Sequence, residues 1–141
     1  MIPKIIHYCW FGNKKIPSKT LKLIEKWKKI MPDYKFICWN ENNFDVSKSC
    51  VYVKKAYSEK KWAFVSDYVR LYAMYFYGGI YLDTDVEVLQ NFDKYLDEKM
   101  FISFESNESL CTAIIGCEQG NVFIKKFLDT YNYRKFDFSR V

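Results

Sequence analysis

A chain of 141 residues with 50% hydrophobic and 28% charged residues has the substance for one folded core, which excludes a dominantly disordered or low-complexity protein. Aromatic residues reach 20%, enough to fill that core and still line a pocket. The net charge is +5, yet only Arg70, Arg134 and Arg140 among the 22 basic residues are arginine. That balance argues against a nucleic-acid reader and leaves anionic substrates or an anionic membrane surface as partners.

Along the chain, Lys4 to Phe11 reads as a buried strand closed by Gly12-Asn13. Ser18 to Met31 reads as a helix, because Leu23, Ile24, Trp27, Ile30 and Met31 form one apolar stripe and lysines occupy the rest. Pro32-Asp33 stops it. Lys35 to Trp39 is a second short strand. Val46 to Glu59 is ambiguous, with helical character in its second half. Lys61 to Tyr77 is the longest helical stretch, ended by Gly78-Gly79. Ile80 to Leu82 is a brief strand running into Asp83-Thr84-Asp85, and Val86 to Leu89 reads as continuing extended. Phe92 to Glu98 suggests a helical turn, Met100 to Glu105 and Cys111 to Gly116 two more strands, and Asn121 to Tyr133 a final helix. Alternation of this kind predicts an α/β fold with a mostly parallel sheet flanked by helices.

The five cysteines are irregularly spaced and form no C-x-x-C pair, which reads as buried reduced thiols in a cytosolic protein. Lys4 and His7 interrupt the N-terminal apolar stretch, so no secretory leader is expected there. No apolar run is long enough to span a membrane.

The chemistry concentrates in Tyr81-Leu82-Asp83-Thr84-Asp85. Two carboxylates two residues apart at the tip of a buried strand repel each other unless a cation sits between them, and a hard divalent ion resolves this. Strand tips are also where open α/β sheets bind ligands. A solvated turn is the blander account. Asp67 and Arg70 stand three apart on one helix face. They form either a surface ion pair or a functional one, with Arg70 as a fork for phosphate and Asp67 as an acceptor for sugar hydroxyls. Trp10 is either a core ring or a platform for a nucleobase, and Gly12 allows backbone to approach a ligand. His7 is the sole histidine, which excludes a multi-histidine zinc site and reads as a satisfied core residue.

Three ordered stretches, Ile2 to Gly12, Ala63 to Arg70 and Tyr77 to Asp85, resemble the DXD-containing glycosyltransferases. That group includes the capsular polysaccharide and mannosyltransferase-like enzymes of family 32, with glucosylating bacterial toxins as distant relatives. The resemblance implies a GT-A type (Rossmann-like) fold, a UDP- or GDP-sugar donor, Mn²⁺ or Mg²⁺, and transfer of a hexose with retention to a glycan or lipid-linked acceptor. By position, Trp10 would stack on the base, with Gly12 beside it. Asp67 and Arg70 would hold the donor sugar, Tyr81 would sit near the ribose or base, Asp83 would contact the ribose or sugar and, through water, the metal, and Asp85 would ligate the metal directly.

One catalytic domain over 1–141 is expected, working in the cytoplasm with peripheral contact at the inner face of a membrane. The family continues with further acceptor and metal contacts, and Phe138-Ser139-Arg140-Val141 offers no equivalent, so C-terminal truncation stays open. Two rivals remain. A catalytically incomplete nucleotide-sugar-binding module shares every motif. A haloacid-dehalogenase-type phosphatase also carries D-x-D after a strand, but Val86-Glu87 replaces its Gly-Thr. A calcium loop fits worse, with Val88 where glycine is required.

Overall fold

The computed structural model describes residues 1–106 and 109–135, with the side chains of 104–112 set aside. The final stretch discussed above, Phe138 to Val141, lies outside the described residues. The elements in order are β1 (Ile5–Cys9), α1 (Ser18–Ile30), β2 (Lys35–Trp39), α2 (Val51–Ser58), α3 (Trp62–Tyr77), β3 (Gly79–Leu82), β4 (Met100–Ser106), β5 (Ser109–Cys117) and α4 (Val122–Thr130). Short 3₁₀ turns at Val46–Lys48 and Asp93–Tyr95 fill two of the connections.

The five strands form one sheet in the order β2-β1-β3-β5-β4. β1 pairs in parallel with both β2 and β3, as the alternating strand–helix pattern predicts. The remaining pairs, β3–β5 and β4–β5, are antiparallel, so the sheet is mixed rather than mostly parallel. The reason is local: β4 and β5 follow each other without a crossover helix, and such neighbours pair antiparallel. Val86 to Leu89 adds no strand. Instead Val88 is buried on the α1 side, and the Val86 carbonyl accepts a hydrogen bond from Trp27 Nε1 at 2.8 Å.

Strand alternation divides the core. Ile6, Ile80 and Leu82 face α1, where Ile24, Trp27 and Met31 complete one layer. Cys9, Tyr81 and Ile115 face α3, whose Val65, Val69 and Ala73 are fully buried at helical spacing. Each such valine stabilises the fold by about 1.5–3 kcal/mol through burial. Gly78 and Gly79 end α3 and start β3 with φ of +69° and +115°. A Cβ on Gly79 would lie 2.6 Å from the Ile5 carbonyl oxygen, so glycine lets β3 close against β1.

His7 is fully buried at the centre of this junction. Its Nδ1 accepts from Trp39 Nε1 at 3.1 Å, which leaves Nε2–H to donate to the Gly78 carbonyl at 2.8 Å. The core-residue expectation for His7 therefore holds.

Candidate active site

β3 runs out at Leu82, and the Asp83 amide makes one more ladder bond to the Ala113 carbonyl before the chain turns. The turn is closed by Val86 N–H donating to the Asp83 carbonyl at 3.1 Å, which lifts Asp83, Thr84 and Asp85 clear of the sheet. They stand over a cavity of about 390 Å³, lined also by Trp10, Trp62, Ser66, Arg70 and Tyr81. β1, β3 and the first half of α3 thus deliver their residues to one place.

Arg70 is the centre of the arrangement. Its side chain is 9% exposed, and Nη2 reaches Asp67 Oδ1 at 3.0 Å and Asp83 Oδ1 at 3.3 Å. The guanidinium carbon lies 4.7 Å from the centre of the Tyr81 ring. Tyr81 in turn donates its hydroxyl to the same Asp83 oxygen at 3.0 Å. Burial opposes the Arg70 charge, but Tyr81, Asp83 and Asp67 outweigh it and raise its pKa. Asp67 moves up as well: burial pushes its carboxyl upward and Asp83 adds repulsion, against the pull of Arg70. Burial drives the Cys9 thiol up to about 12, so the sulfur lining this cavity is a protonated thiol.

The balance of charge matters for what can bind. Asp67 and Asp83 both pair with the Arg70 guanidinium, and Asp85 joins Asp83 on the cavity wall. Asp85 is exposed and makes no hydrogen bond or ion pair among the described residues. No third His, Cys, Asp or Glu joins Asp83 and Asp85 in a cluster able to hold a metal, among the described residues. Mg²⁺ and similar ions commonly use one or two carboxylates and take their other ligands from substrate phosphates and water. The donor set therefore fits a substrate-bridged ion and does not fit a closed protein cage.

The motif residues separate in one respect. Trp10 is half-buried on the cavity wall, its indole N–H donating to the Lys14 carbonyl at 3.0 Å. Gly12 does not line the cavity. Its φ is +108°, and a Cβ there would sit 2.9 Å from the Trp62 ring, so its bareness admits an indole. Its amide donates to Glu41 Oε2, which also takes the Tyr57 hydroxyl. Asp67 borders a second, apolar cavity between α3 and α4, and Arg70 lines both. Trp62, Ser66 and Thr84 were not anticipated as lining residues. Trp62 and Ser66 lie one turn apart on α3 and could have been read from the helical period once Arg70 was placed.

The fold is of the GT-A glycosyltransferase type. The solved PaToxG glycosyltransferase superposes with a TM-score of 0.76 over 91% of this chain and 59% of its own, at 23% identity. The chain belongs to the family described as the glycosyltransferase sugar-binding region containing the DXD motif, whose model matches residues 17–102. Among its relatives, inositol phosphoceramide mannosyltransferase 3 of Schizosaccharomyces pombe is 28% identical over 126 residues, covering 87% of this chain and 35% of that protein. The mannosyl phosphorylinositol ceramide synthase CSH1 of Saccharomyces cerevisiae is 27% identical, covering 96% of this chain and 36% of its own length. The chain thus spans about a third of the length of these curated relatives.

Proposed function

We propose that this protein transfers a hexose from a UDP- or GDP-sugar to a glycan or lipid-linked acceptor, using Mn²⁺ or Mg²⁺ at Asp83 and Asp85. The observation that carries the reading is the convergence of Trp10, Arg70, Tyr81, Asp83 and Asp85 on one cavity at the tip of β3. Asp83 and Asp85 on the cavity wall would repel a diphosphate, and a divalent ion reverses that repulsion. When bound, the ion supplies electrostatic stabilisation for the charge that grows on the departing diphosphate. The mannosyl group in the names of two relatives favours a hexose donor.

In this reading Trp10 stacks on the base, with Gly12 setting the strand end beside it. Arg70, held rigidly by two carboxylates and a ring, orients the donor sugar together with Asp67. Tyr81 fixes one oxygen of Asp83, leaving the other for the donor or the ion. Cys9 is a protonated thiol and supplies no nucleophile. Retention, which the family resemblance implies, is proposed to proceed by front-face attack through an oxocarbenium-like state, without a covalent enzyme intermediate. Peripheral work at the cytoplasmic face of a membrane belongs to the same proposal, supported by the +5 charge and by free thiols at Cys9, Cys38, Cys50 and Cys117.

Calorimetry with UDP, GDP and their sugars, with Mn²⁺ or EDTA, tests it, paired with a donor-hydrolysis assay. Metal-dependent nucleotide binding that Asp85→Asn weakens at least about tenfold is expected. Equal binding with and without metal, unchanged in the variant, overturns the reading. Binding without hydrolysis or transfer to any acceptor shows a sugar-nucleotide-binding module instead.

A further inference from the structure

Glu41 stands on the turn after β2 and does not line the first cavity, yet it ties two of that cavity's walls together. Its Oε2 accepts the Gly12 amide at 2.6 Å and the Tyr57 hydroxyl at 2.9 Å. The first contact is short, as a charge-assisted hydrogen bond is. Tyr57 belongs to the last turn of α2, and its ring meets the Trp62 indole edge to face with centroids 5.0 Å apart. Trp62, the first residue of α3, packs in turn on the bare face of Gly12. Gly12, Glu41, Tyr57 and Trp62 therefore close a ring of contacts drawn from four parts of the chain.

Trp10 depends on the same carboxylate. Its backbone N–H donates to the Trp39 carbonyl at 2.9 Å, and its indole N–H to the Lys14 carbonyl at 3.0 Å. Lys14 lies two residues beyond Gly12, past Asn13 at φ +58°. The turn that holds the indole is thus pinned through the bond from Gly12 to Glu41. Glu41 and Trp10 also share the lining of a further cavity of about 200 Å³.

The platform beneath Glu41 is rigid. The Asn40 amide donates to Asn43 Oδ1 and the Asn42 amide to Asn40 Oδ1, both at 2.9 Å. Asn43 Nδ2 donates to the Cys38 carbonyl at 2.8 Å. Asparagine side chains that bond nearby backbone in this way hold a turn without a sheet beside it. A carboxylate here disfavours an anionic ligand by its charge, so what it contributes is position.

We propose that Glu41 is the positioning residue for the aromatic end of the donor cavity, fixing Trp10 and Trp62 and thereby the affinity for the nucleoside part of the donor. The inference rests on the glycosyltransferase reading above and deepens its donor site. At the other end of the cavity Asp83 is set separately, by Arg70 and Tyr81. Loss of Glu41 therefore acts on the nucleoside and spares the diphosphate.

Calorimetry with UDP and GDP in Mn²⁺ tests it, with Mn²⁺ and inorganic pyrophosphate as the probe that lacks a nucleoside. Glu41→Ala is expected to raise the nucleotide Kd about tenfold and Tyr57→Phe about threefold. The pyrophosphate Kd should stay within about twofold in both. Glu41→Gln keeps an oxygen for both donors and is expected to restore nucleotide affinity to within about twofold of wild type. In ¹⁵N-labelled protein, the indole N–H signals of Trp10 and Trp62 should shift in Tyr57→Phe and Glu41→Ala, with that of buried Trp27 in place. Wild-type nucleotide affinity in both Glu41→Ala and Tyr57→Phe overturns the proposal. A parallel loss of pyrophosphate binding also overturns it, by showing general destabilisation. So does tighter binding of both ligands in Glu41→Gln, which would show the Glu41 charge acting at a distance. Absence of metal-dependent nucleotide binding in the wild type sinks the donor reading and this inference with it, whereas equal affinities across the variants sink this inference alone.

Discussion

Arg70 Nη2 lies 3.3 Å from Asp83 Oδ1, and this contact ties the middle of α3 to the tip of β3. The same nitrogen serves Asp67 at 3.0 Å. One guanidinium therefore sets the positions of two carboxylates that local sequence alone would leave free. Arg70→Ala is expected to leave both carboxylates without their cation and to strip the Tyr81 ring of its stacking partner. A fully buried pair broken on one side costs about 3–5 kcal/mol. Asp67 and Asp83 keep 43% and 33% of their side-chain surface in water, so a loss of roughly 1–3 kcal/mol is expected here. Urea unfolding measures it, and an unchanged midpoint would refute a structural role for the contact.

Asp83 and Asp85 are predicted to behave differently despite being two residues apart. Asp83 accepts from Tyr81 and pairs with Arg70, so Asp83→Asn should lower both stability and activity. Asp85 is exposed and free of such contacts among the described residues, so Asp85→Ala should leave stability within about 0.5 kcal/mol. Its expected loss is in metal-dependent turnover, on the order of a hundredfold or more. Thermal melts beside a donor-hydrolysis assay with Mn²⁺ separate the two variants. Equal destabilisation by both would contradict the geometry.

Gly12 supplies a third test. With φ at +108° and the Trp62 ring 2.9 Å from where a Cβ would stand, Gly12→Ala must strain the backbone and push the indole aside. A destabilisation of about 1–3 kcal/mol is expected, read from thermal unfolding. Because Trp62 also lines the first cavity, a matching rise in the nucleotide Kd is expected from calorimetry. An unchanged melting temperature would show that the ring yields freely.

How much of this was legible in the residues depends on how local the cause is. The helix through Arg70 and the strand ending at Asp83 follow from apolar spacing and from two glycines, and β2 matches its expected range residue for residue. The direction of β4 and β5 did not follow, because a β-hairpin and two crossover strands share the same short apolar pattern. Val86 to Leu89 misled for a related reason: its alternation is real, but its inward residue packs against α1 with no strand beside it. Gly12 was read as an approach for ligand because the indole it admits comes from Trp62, distant in sequence. The apolar cavity was invisible for the same cause, since Leu71, Met100, Ile115 and Ile124 belong to four different elements.

His7 carries the pH prediction. Burial lowers its pKa from 6.5 to about 4, with the Gly78 carbonyl opposing and Lys35 assisting. The geometry explains why a second proton is refused: Nδ1 already accepts from the Trp39 indole N–H, and a proton there would set two donors against each other. The unfolded chain takes up a proton near pH 6.5, whereas the folded chain does so only near 4. Between those values the unfolded state binds more protons, so stability falls as pH falls through the window. The contribution is complete above about pH 6.5, amounts to about 3 kcal/mol, and is gone below about pH 4. Urea unfolding at a series of pH values should show this slope. His7→Gln should be less stable at pH 7 yet lose less on acidification across the same window. An equal slope in both proteins would assign the acid sensitivity to the carboxylates instead.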